Sequence, residues 1–413
     1  MIAPRSAALL GAVLAAPCFA FAACSNSDTG PSTSNGIDSG TFDFGTPEII
    51  VPDVGPLDTG TDASGAETDA AIDSGPSDGG SEGGTATLAP APPATDPGKG
   101  LWLTASGESL AVTGYGFPPA SANDTFMIDG WIFVIDRVLV TVDAVTLWEN
   151  PDTKPADQSA HGAQVAHVNG PWAIDLHKGG PLTGEGGAPE ESQPFASIKT
   201  KDDGSDFDTT VRYGFGFSTV AATSSALNVN LDAAGLVDYQ AMIDHGYAVL
   251  YVGHVARPTS DTFQAGSSPY DFTKLPKTLP FRLGFSTPTS YINCQNGSEF
   301  PGVPGINGED YPRGVQFKST ASVIGQVTVH ADHPFWESFA ENTPLHFDQI
   351  AAQYVGVTSP VATVEDMVGV NPSAFTDKTG VALPLRSAVD STLYTPPYAL
   401  GTQLHFDMLK VPF

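Results

Sequence analysis

A run of β-branched and other apolar residues at positions 130–147 is the feature that most constrains the fold. Over residues 137–143 apolar and polar side chains alternate, as they do in a strand with one buried face and one wet face. No other stretch of the chain gives as clear a strand pattern. The run therefore predicts a long β-strand near the start of the folded part of the chain.

Shorter stretches of the same kind follow, separated by clusters of Gly, Pro, Asn and Asp. These predicted strands are residues 173–176, 210–217, 247–256, 279–285, 314–318 and 322–330. Helical periodicity is scarce, and the best short helices are residues 232–242 and 346–353. The pattern predicts a mainly β fold over residues 99–413, an antiparallel β-sandwich or barrel-like domain with few short helices. About 315 residues is large for one sandwich, so two fused sheets remain an alternative.

Residues 25–98 have the composition of a disordered linker. Gly, Ser, Thr, Asp, Pro and Ala dominate, and 13 of the chain's 46 acidic residues fall here without a single Lys or Arg. Such a segment cannot bury enough apolar surface to offset the entropy of ordering it. A flexible chain of this length spans roughly 45–50 Å. The composition therefore predicts a disordered acidic tether ahead of the folded part.

The first 24 residues have the features of an exported protein's signal peptide. Arg5 gives a positive start, and residues 7–23 are almost wholly apolar or small, which is too short for a preferred spanning helix. The segment ends in Phe21-Ala22-Ala23-Cys24, which resembles the lipobox of bacterial lipoproteins, with Phe21 where the family has Leu or another aliphatic residue. The resemblance implies a lipid on Cys24 and a place in the cell envelope. By the same resemblance, Ser25 in place of the Asp that often signals inner-membrane retention implies the outer membrane. An ordinary secretory peptide cut near Ala23 is the alternative.

Charge and cysteine content exclude some functions. The formal net charge is −29, which argues against nucleic acid as a partner. The cysteines are Cys18, Cys24 and Cys294. If the first is removed with the signal peptide and the second carries lipid, Cys294 is alone, and an intrachain disulfide framework is excluded.

Several phrases of the folded part give the chain a family likeness. They are Asp129-Gly130-Trp131, Ile174-Asp175-Leu176-His177-Lys178, Tyr291-Ile292-Asn293-Cys294 and His330-x-Asp332-His333-Pro334-Phe335-Trp336. In these the chain resembles a group of uncharacterised bacterial lipoproteins with an exported all-β domain. The resemblance implies a fold and a location. It implies no reaction.

Potential metal ligands concentrate in residues 326–350. Three of the nine histidines lie here, beside two aspartates. The candidate ligands are His330, Asp332, His333, His346 and Asp348. His330 and Asp332 share one face if the preceding strand continues, because side chains of a strand alternate. Imidazole and carboxylate are the donor set that a divalent metal takes, and zinc or copper(II) suits this one.

A second candidate phrase is Asp175-x-His177, which again places a carboxylate and an imidazole two positions apart. If the two phrases converge, they form a site of several ligands, and Cys294 as a further ligand would favour copper. The alternative is a structural network of polar residues at strand ends. The phrase Leu345-His346-Phe347-Asp348 also recurs as Leu404-His405-Phe406-Asp407, although the flanking residues do not match.

The favoured interpretation is a lipid-anchored, non-catalytic binding protein with a His/Asp metal site. Its partners are then the membrane through Cys24 and an envelope protein or glycan. One alternative is surface adhesion or carbohydrate binding through exposed aromatic residues such as Trp148, Phe335 and Trp336. Another is a metal-dependent hydrolase, because His330-x-Asp332-His333 resembles the second half of the metallo-β-lactamase motif. Thr328 stands where that motif has its first histidine.

Overall fold

The computed structural model describes residues 84–120, 126–127, 129–157, 159–182, 192–257, 273–286, 288–296, 305–306, 312–329, 331, 335 and 347–364, together with the backbone of 406–407. The strands are β1 (Ala89–Pro90), β2 (Gly100–Ser106), β3 (Ile132–Trp148), β4 (Gln164–Val168), β5 (Trp172–Asp175), β6 (Gln193–Ile198), β7 (Arg212–Thr219), β8 (Leu227–Asn228), β9 (Val249–Ala256), β10 (Thr278–Phe285), β11 (Thr289–Tyr291), β12 (Val315–Gln316), β13 (Ser322–Val329), β14 (Ala362–Thr363) and β15 (Phe406–Asp407). The helices are α1 (Glu108–Thr113), α2 (Ala233–His245) and α3 (Asp348–Ala352).

The predicted mainly β fold with few helices is confirmed. Every predicted strand is present with bounds within two residues of those expected, and both predicted helices are present as α2 and α3. Sequence reasoning missed α1, β2, β4 and β6 and the short strands β1, β8, β11, β14 and β15. The predicted signal peptide and nearly all of the predicted linker lie outside the described residues.

The long strand β3 organises the larger of two sheets. It pairs antiparallel with β9 and β5 along its first part and with β7 and β4 along its second part. The change of partners coincides with a register shift between Asp143 and Thr146, where Ala144 has a φ of 49°. The Asp143 carboxylate accepts the N–H groups of Ala144 and Gly170, both at 2.7 Å, and so holds this irregular backbone. A bulge of this kind bends a strand and redirects its pairing.

A smaller sheet of four strands, in the order β15-β13-β2-β6, lies against the large sheet. Its central pair, β2 and β13, is parallel, with Ser322 opposite Gly100 and Thr328 opposite Ser106. The carboxyl ends of these two strands therefore meet at the same edge. The last residue of β13 is Val329.

Apolar residues fill the space between the two sheets and a second space behind the large sheet. Val138, Val140 and Val142 of β3 face the main core, which they share with Leu101 and Leu103 of β2. The other face of the large sheet packs on α2. This second core contains the buried residues Leu139, Ala173, Leu250, Tyr239 and Met242. Alternate residues of β3 thus face two different cores, which explains why few of its side chains are exposed to solvent.

Packed structure begins ahead of the predicted boundary at residue 99. Ala86 is buried and its N–H donates to the carbonyl of Leu236 at 3.2 Å. Strand β1 pairs parallel with β8. The end of the low-complexity segment therefore belongs to the fold, because its small apolar residues cover α2.

Helix α2 is fastened to the large sheet by a buried carboxylate. Asp238 bonds Arg137 of β3, and it accepts from Arg282 Nη1 of β10 at 2.5 Å. The side chain of Asp238 is only 5% exposed, while those of the two arginines are 24% and 36% exposed. One carboxylate therefore joins three elements.

Replacing Asp238 by Ala would leave two partly buried guanidinium groups without this partner. Because removing one member of a buried ion pair is costly, we expect the free energy of unfolding to fall by about 2–3 kcal/mol, less than for fully buried arginines. Urea denaturation measures this change in the free energy of unfolding. The matched control is Asp244→Ala on the exposed face of the same helix, which should change stability by less than about 0.5 kcal/mol. Equal effects of the two substitutions would contradict this role of Asp238.

Candidate functional site

Aromatic packing brings together the described residues that flank the two histidine-bearing segments. Phe335 follows one segment, Phe347 follows the other, and their ring centroids are 6.0 Å apart. Both rings also contact Phe133 of β3, at 4.7 Å and 6.3 Å. Ala331 is buried in the same core. The two stretches that carry the predicted histidines are therefore anchored to one aromatic cluster.

Four of the seven predicted ligands, His330, Asp332, His333 and His346, lie outside the described residues. Asp348 is described and is buried, 1% exposed, at the start of α3. Its Oδ1 accepts a hydrogen bond from the indole Nε1 of Trp131 at 2.8 Å. Since Trp131 is fully buried beside Phe347, with ring centroids at 5.7 Å, the carboxylate sits within the aromatic cluster.

A second buried acid, Asp129, lies beside Asp348. It is 4% exposed, and its Oδ2 accepts the backbone N–H groups of Phe347 at 2.6 Å and Asp348 at 2.8 Å. These bonds satisfy N–H groups at the start of α3 that have no partner within the helix. Sequence reasoning did not select Asp129 as a site residue, although the phrase Asp129-Gly130-Trp131 was noticed. A lone acid before a strand carries no signal that it will be buried.

The environment of this pair opposes ionisation of Asp129. Burial, and next the negative charge of Asp348, raise the pKa of Asp129 well above its ordinary value, and the two backbone donors offset this only partly. Its Oδ1 is buried and has no hydrogen-bond partner among the described residues. Burial lowers the pKa of Arg257, and the charge of Asp348 opposes this shift. The arginine therefore lies within electrostatic reach of the two acids. The pair thus retains a proton more readily than exposed acids do.

Asp175 and His177 have a different set of contacts. Asp175 Oδ1 accepts the N–H of His177 at 3.1 Å, and burial raises the pKa of Asp175 while this bond lowers it. The His177 ring pairs through Nδ1 with the carbonyl oxygen of Ala111 in α1 at 2.8 Å, so Nδ1 is the protonated nitrogen. These contacts tie β5 to α1. None of the described contacts joins either residue to Asp348.

Within the described ranges no three side chains of His, Cys, Asp or Glu come together as a group that could hold a metal ion. The described candidates Asp175, His177 and Asp348 therefore do not form such a group by themselves. Cys294 is buried in the main core, and its N–H donates to the carbonyl of Phe215 at 2.9 Å. Its environment is that of a small apolar core residue.

The aromatic residues proposed for surface recognition are not exposed where they are described. Phe335 is 3% exposed. Trp148 is half-buried and stacked on His161 with centroids 4.3 Å apart, and a Cβ added at Gly216 would come within 2.6 Å of its ring. Trp336 lies outside the described residues. The exposed large hydrophobic residues of the described part are all valines.

Comparisons with known proteins add no relationship. No protein-family model, no curated protein and no solved structure matches the chain. The part of the chain that the structure describes contains no helix that is both long enough and apolar enough to cross a membrane.

Replacing Asp129 by Asn tests the electrostatic description of the buried pair. Asn keeps a carbonyl oxygen for the two N–H groups of α3 and removes the titrating proton. Because the folded-state pKa of Asp129 is raised, its contribution to stability is complete below the unfolded pKa of about 3.9 and is lost as the pH rises through the folded pKa. We expect the free energy of unfolding of the parent, relative to the variant, to decline as the pH rises above the unfolded pKa of an aspartate. The exposed control Asp244→Asn should follow the parent in urea denaturation, and identical pH profiles for parent and Asp129→Asn would refute the description.

Proposed function

We propose that this chain is a lipid-anchored cell-envelope protein whose β domain binds a divalent metal, zinc or copper(II), without catalysing a reaction. The anchor is Cys24, the outer membrane is the favoured location, and residues 25–98 are the tether. The ligands are drawn from His330, Asp332, His333 and His346. Its partners are the membrane and an envelope protein or glycan.

The observation that carries the metal proposal is the contact between Phe335 and Phe347. The two histidine-bearing segments are separated along the chain, yet their described flanks share one aromatic cluster on Phe133. A metal site assembled from both segments needs such an anchor, because ligands from separate segments must be held close together for coordination. Anchoring next to the ligands lowers the conformational cost of binding.

Two buried acids lie beside this anchor. Asp348 follows His346 by two positions, and Asp129 is bonded to the backbone of residues 347 and 348. Because Asp348 already accepts from Trp131, we assign it to supporting the segment from the core side. A nearby cation would favour the ionised form of both carboxyl groups. The proposal treats Asp175 and His177 as structural, since their described contacts tie β5 to α1.

The described surroundings fit a metal-binding role better than a catalytic one. The two acids of the cluster are 4% and 1% exposed, so a substrate could not reach them without rearrangement of the core. A catalytic metal needs an open coordination position in a cleft and an activated water. The half-buried position of Trp148 and the burial of Phe335 give no support to glycan recognition through these rings.

The metal site is tested on the full chain, purified in detergent without a histidine tag. We expect about one zinc or copper ion per chain by elemental analysis, and release of the ion as the pH falls through the histidine range, about 6.5, because protonated imidazole cannot bind a metal. His330→Ala should lose most of the metal. The control is His167→Ala, an exposed histidine paired with Asp202 at 2.8 Å, which should keep it. A parent without metal, and without a thermal shift on adding zinc or copper, would exclude the site.

The anchor is tested separately by replacing Cys24. If lipid is attached there, Cys24→Ser should move the protein from the membrane fraction to the soluble fraction and abolish labelling by a radioactive fatty acid. Cys18→Ser is the matched control and should stay in the membrane fraction with its label. A parent that is already soluble and unlabelled would show that the segment is an ordinary secretory peptide.

A further inference from the structure

Three neighbouring strands of the large sheet place two arginines on the face that packs on α2. Arg137 of β3 and Arg282 of β10 both lie opposite Val252 of β9. Directly opposed residues of antiparallel strands point to the same face of a sheet. Val252 belongs to the second core, so both arginines lie on the side of α2. Because neighbouring strands are about 4.7–4.9 Å apart, the backbones of the two arginines are separated by roughly 10 Å.

One carboxylate of α2 holds both guanidinium groups in place. Asp238 accepts from Nε of Arg137 and from Nη1 of Arg282, so each carboxylate oxygen bonds one arginine. Among the described residues the other guanidinium nitrogens of these two arginines have no hydrogen-bond partner. The two side chains are 24% and 36% exposed. Since a guanidinium group has five N–H donors in a planar fork, most donors of the pair remain available to an acceptor from solvent.

The arginine pair carries an excess of positive charge, because two guanidinium groups share one carboxylate. Asp232 at the start of α2 also lies within electrostatic reach of Arg137, but it is paired with Lys178 at 3.0 Å. These groups together leave one positive charge without a matching acid. The chain as a whole has a formal net charge of −29, so this local excess has the opposite sign to the rest of the protein. A local field of this sign attracts an anion.

The row of side chains next to the arginines is open to solvent. His254 lies two residues beyond Val252 on the same face of β9, opposite Val134 and Pro280. The His254 side chain is 38% exposed, and its Nδ1 is 4.0 Å from the carboxylate of Asp136, whose side chain is 49% exposed. The charge of Asp136 opposes an anion here, but solvent screens so exposed a carboxylate. A ligand can therefore approach the guanidinium groups from this side, with the imidazole as a further donor.

We propose that Arg137 and Arg282 bind a phosphate group on the open side of the pair. Asp238 already shows that one oxyanion accepts from both guanidinium groups at once. The planar fork of arginine matches the oxygens of a phosphate, and two N–H groups can bond it side by side. Because Asp238 holds both side chains beforehand, binding requires little further ordering of them. This site goes beyond the proposed metal site and does not depend on it.

The phosphate group is either free inorganic phosphate or the headgroup of an anionic phospholipid, since both present the same oxygens to the arginines. Glycerophosphoglycerol, a phospholipid headgroup without its acyl chains, distinguishes these two sources. Tighter binding of glycerophosphoglycerol than of inorganic phosphate assigns the site to a lipid headgroup. The reverse order assigns it to free phosphate. Either order supports the site itself.

The first test is titration calorimetry of the full chain in detergent with each of the two ligands. A chelator is present so that a bound metal cannot hold the phosphate, and chloride keeps the ionic strength constant. We expect saturable binding to one site per chain. Arg282→Gln should weaken binding at least about tenfold, because hydrogen bonds between charged groups are the strong ones. The matched control Lys154→Gln removes the same charge from a side chain that is 69% exposed, and it should bind as the parent does.

The second test uses the parent chain without any substitution. Phenylglyoxal modifies accessible arginines, and mass spectrometry after digestion measures the rate at each one. Phosphate should slow the modification of Arg137 and Arg282. The internal control is Arg212, whose side chain is 26% exposed and paired with Asp152 in a similar way, and its rate should not change.

Three results would overturn the phosphate site. The first is a parent that binds neither ligand saturably. The second is an equal loss of affinity in Lys154→Gln and Arg282→Gln, which would show a general effect of net charge. The third is an equal rate of modification at Arg137 and Arg282 with and without phosphate, and this measurement decides if Arg282→Gln does not fold. None of these tests involves a ligand of the proposed metal site, so the metal proposal is judged separately.

Discussion

The pairing of β3 with four other strands is the constraint on which the rest of the large sheet depends. A strand of 17 residues is long enough to serve two sets of neighbours, β9 and β5 first and then β7 and β4. The change requires an irregular backbone at Ala144, and Asp143 stabilises it by accepting two N–H groups. A side chain that stabilises a bulge here therefore decides the course of several strands.

Two buried aspartates show how the surroundings decide what a carboxylate does. Asp238 lies between two arginines, so its charge is compensated and it joins α2 to the large sheet. Asp129 instead lies beside a second acid and among aromatic rings, so burial raises its pKa and its bonds are to backbone N–H groups. The first arrangement is a structural fastening. The second is the kind of strained electrostatic environment that accumulates at functional sites.

The proposed metal site extends this contrast to the edge of the small sheet. Its anchor is the aromatic cluster of Phe133, Phe335 and Phe347, which holds the flanks of two separate segments. A metal bound by both segments would add coordination to the packing that holds their flanks.

The sequence by itself determined the fold class and the main elements, because alternation and turn residues act over a few positions. It predicted β3, β9, β10 and β13 as well as α2 and α3 to within a few residues. Among the elements it missed are β6, in which Pro194 and a register shift obscure the alternation, and α1, which is only six residues long. The predicted start of the folded part, residue 99, is also too late, since Ala86 is already buried. A few small apolar residues have the composition of a linker, and only their packing on a helix shows that they belong to the fold.

Only the tertiary structure decided which strands pair and which acids are buried. The parallel pairing of β2 with β13 joins residues more than 200 positions apart, and no local pattern encodes such a choice. The burial of Asp129 against Asp348 likewise depends on α3 reaching the start of β3. For the metal ligands, the sequence supplied the donor types and their local spacing. Whether they converge depends on long-range packing, since the free energy that brings distant segments together comes from the shared core and not from the segments themselves.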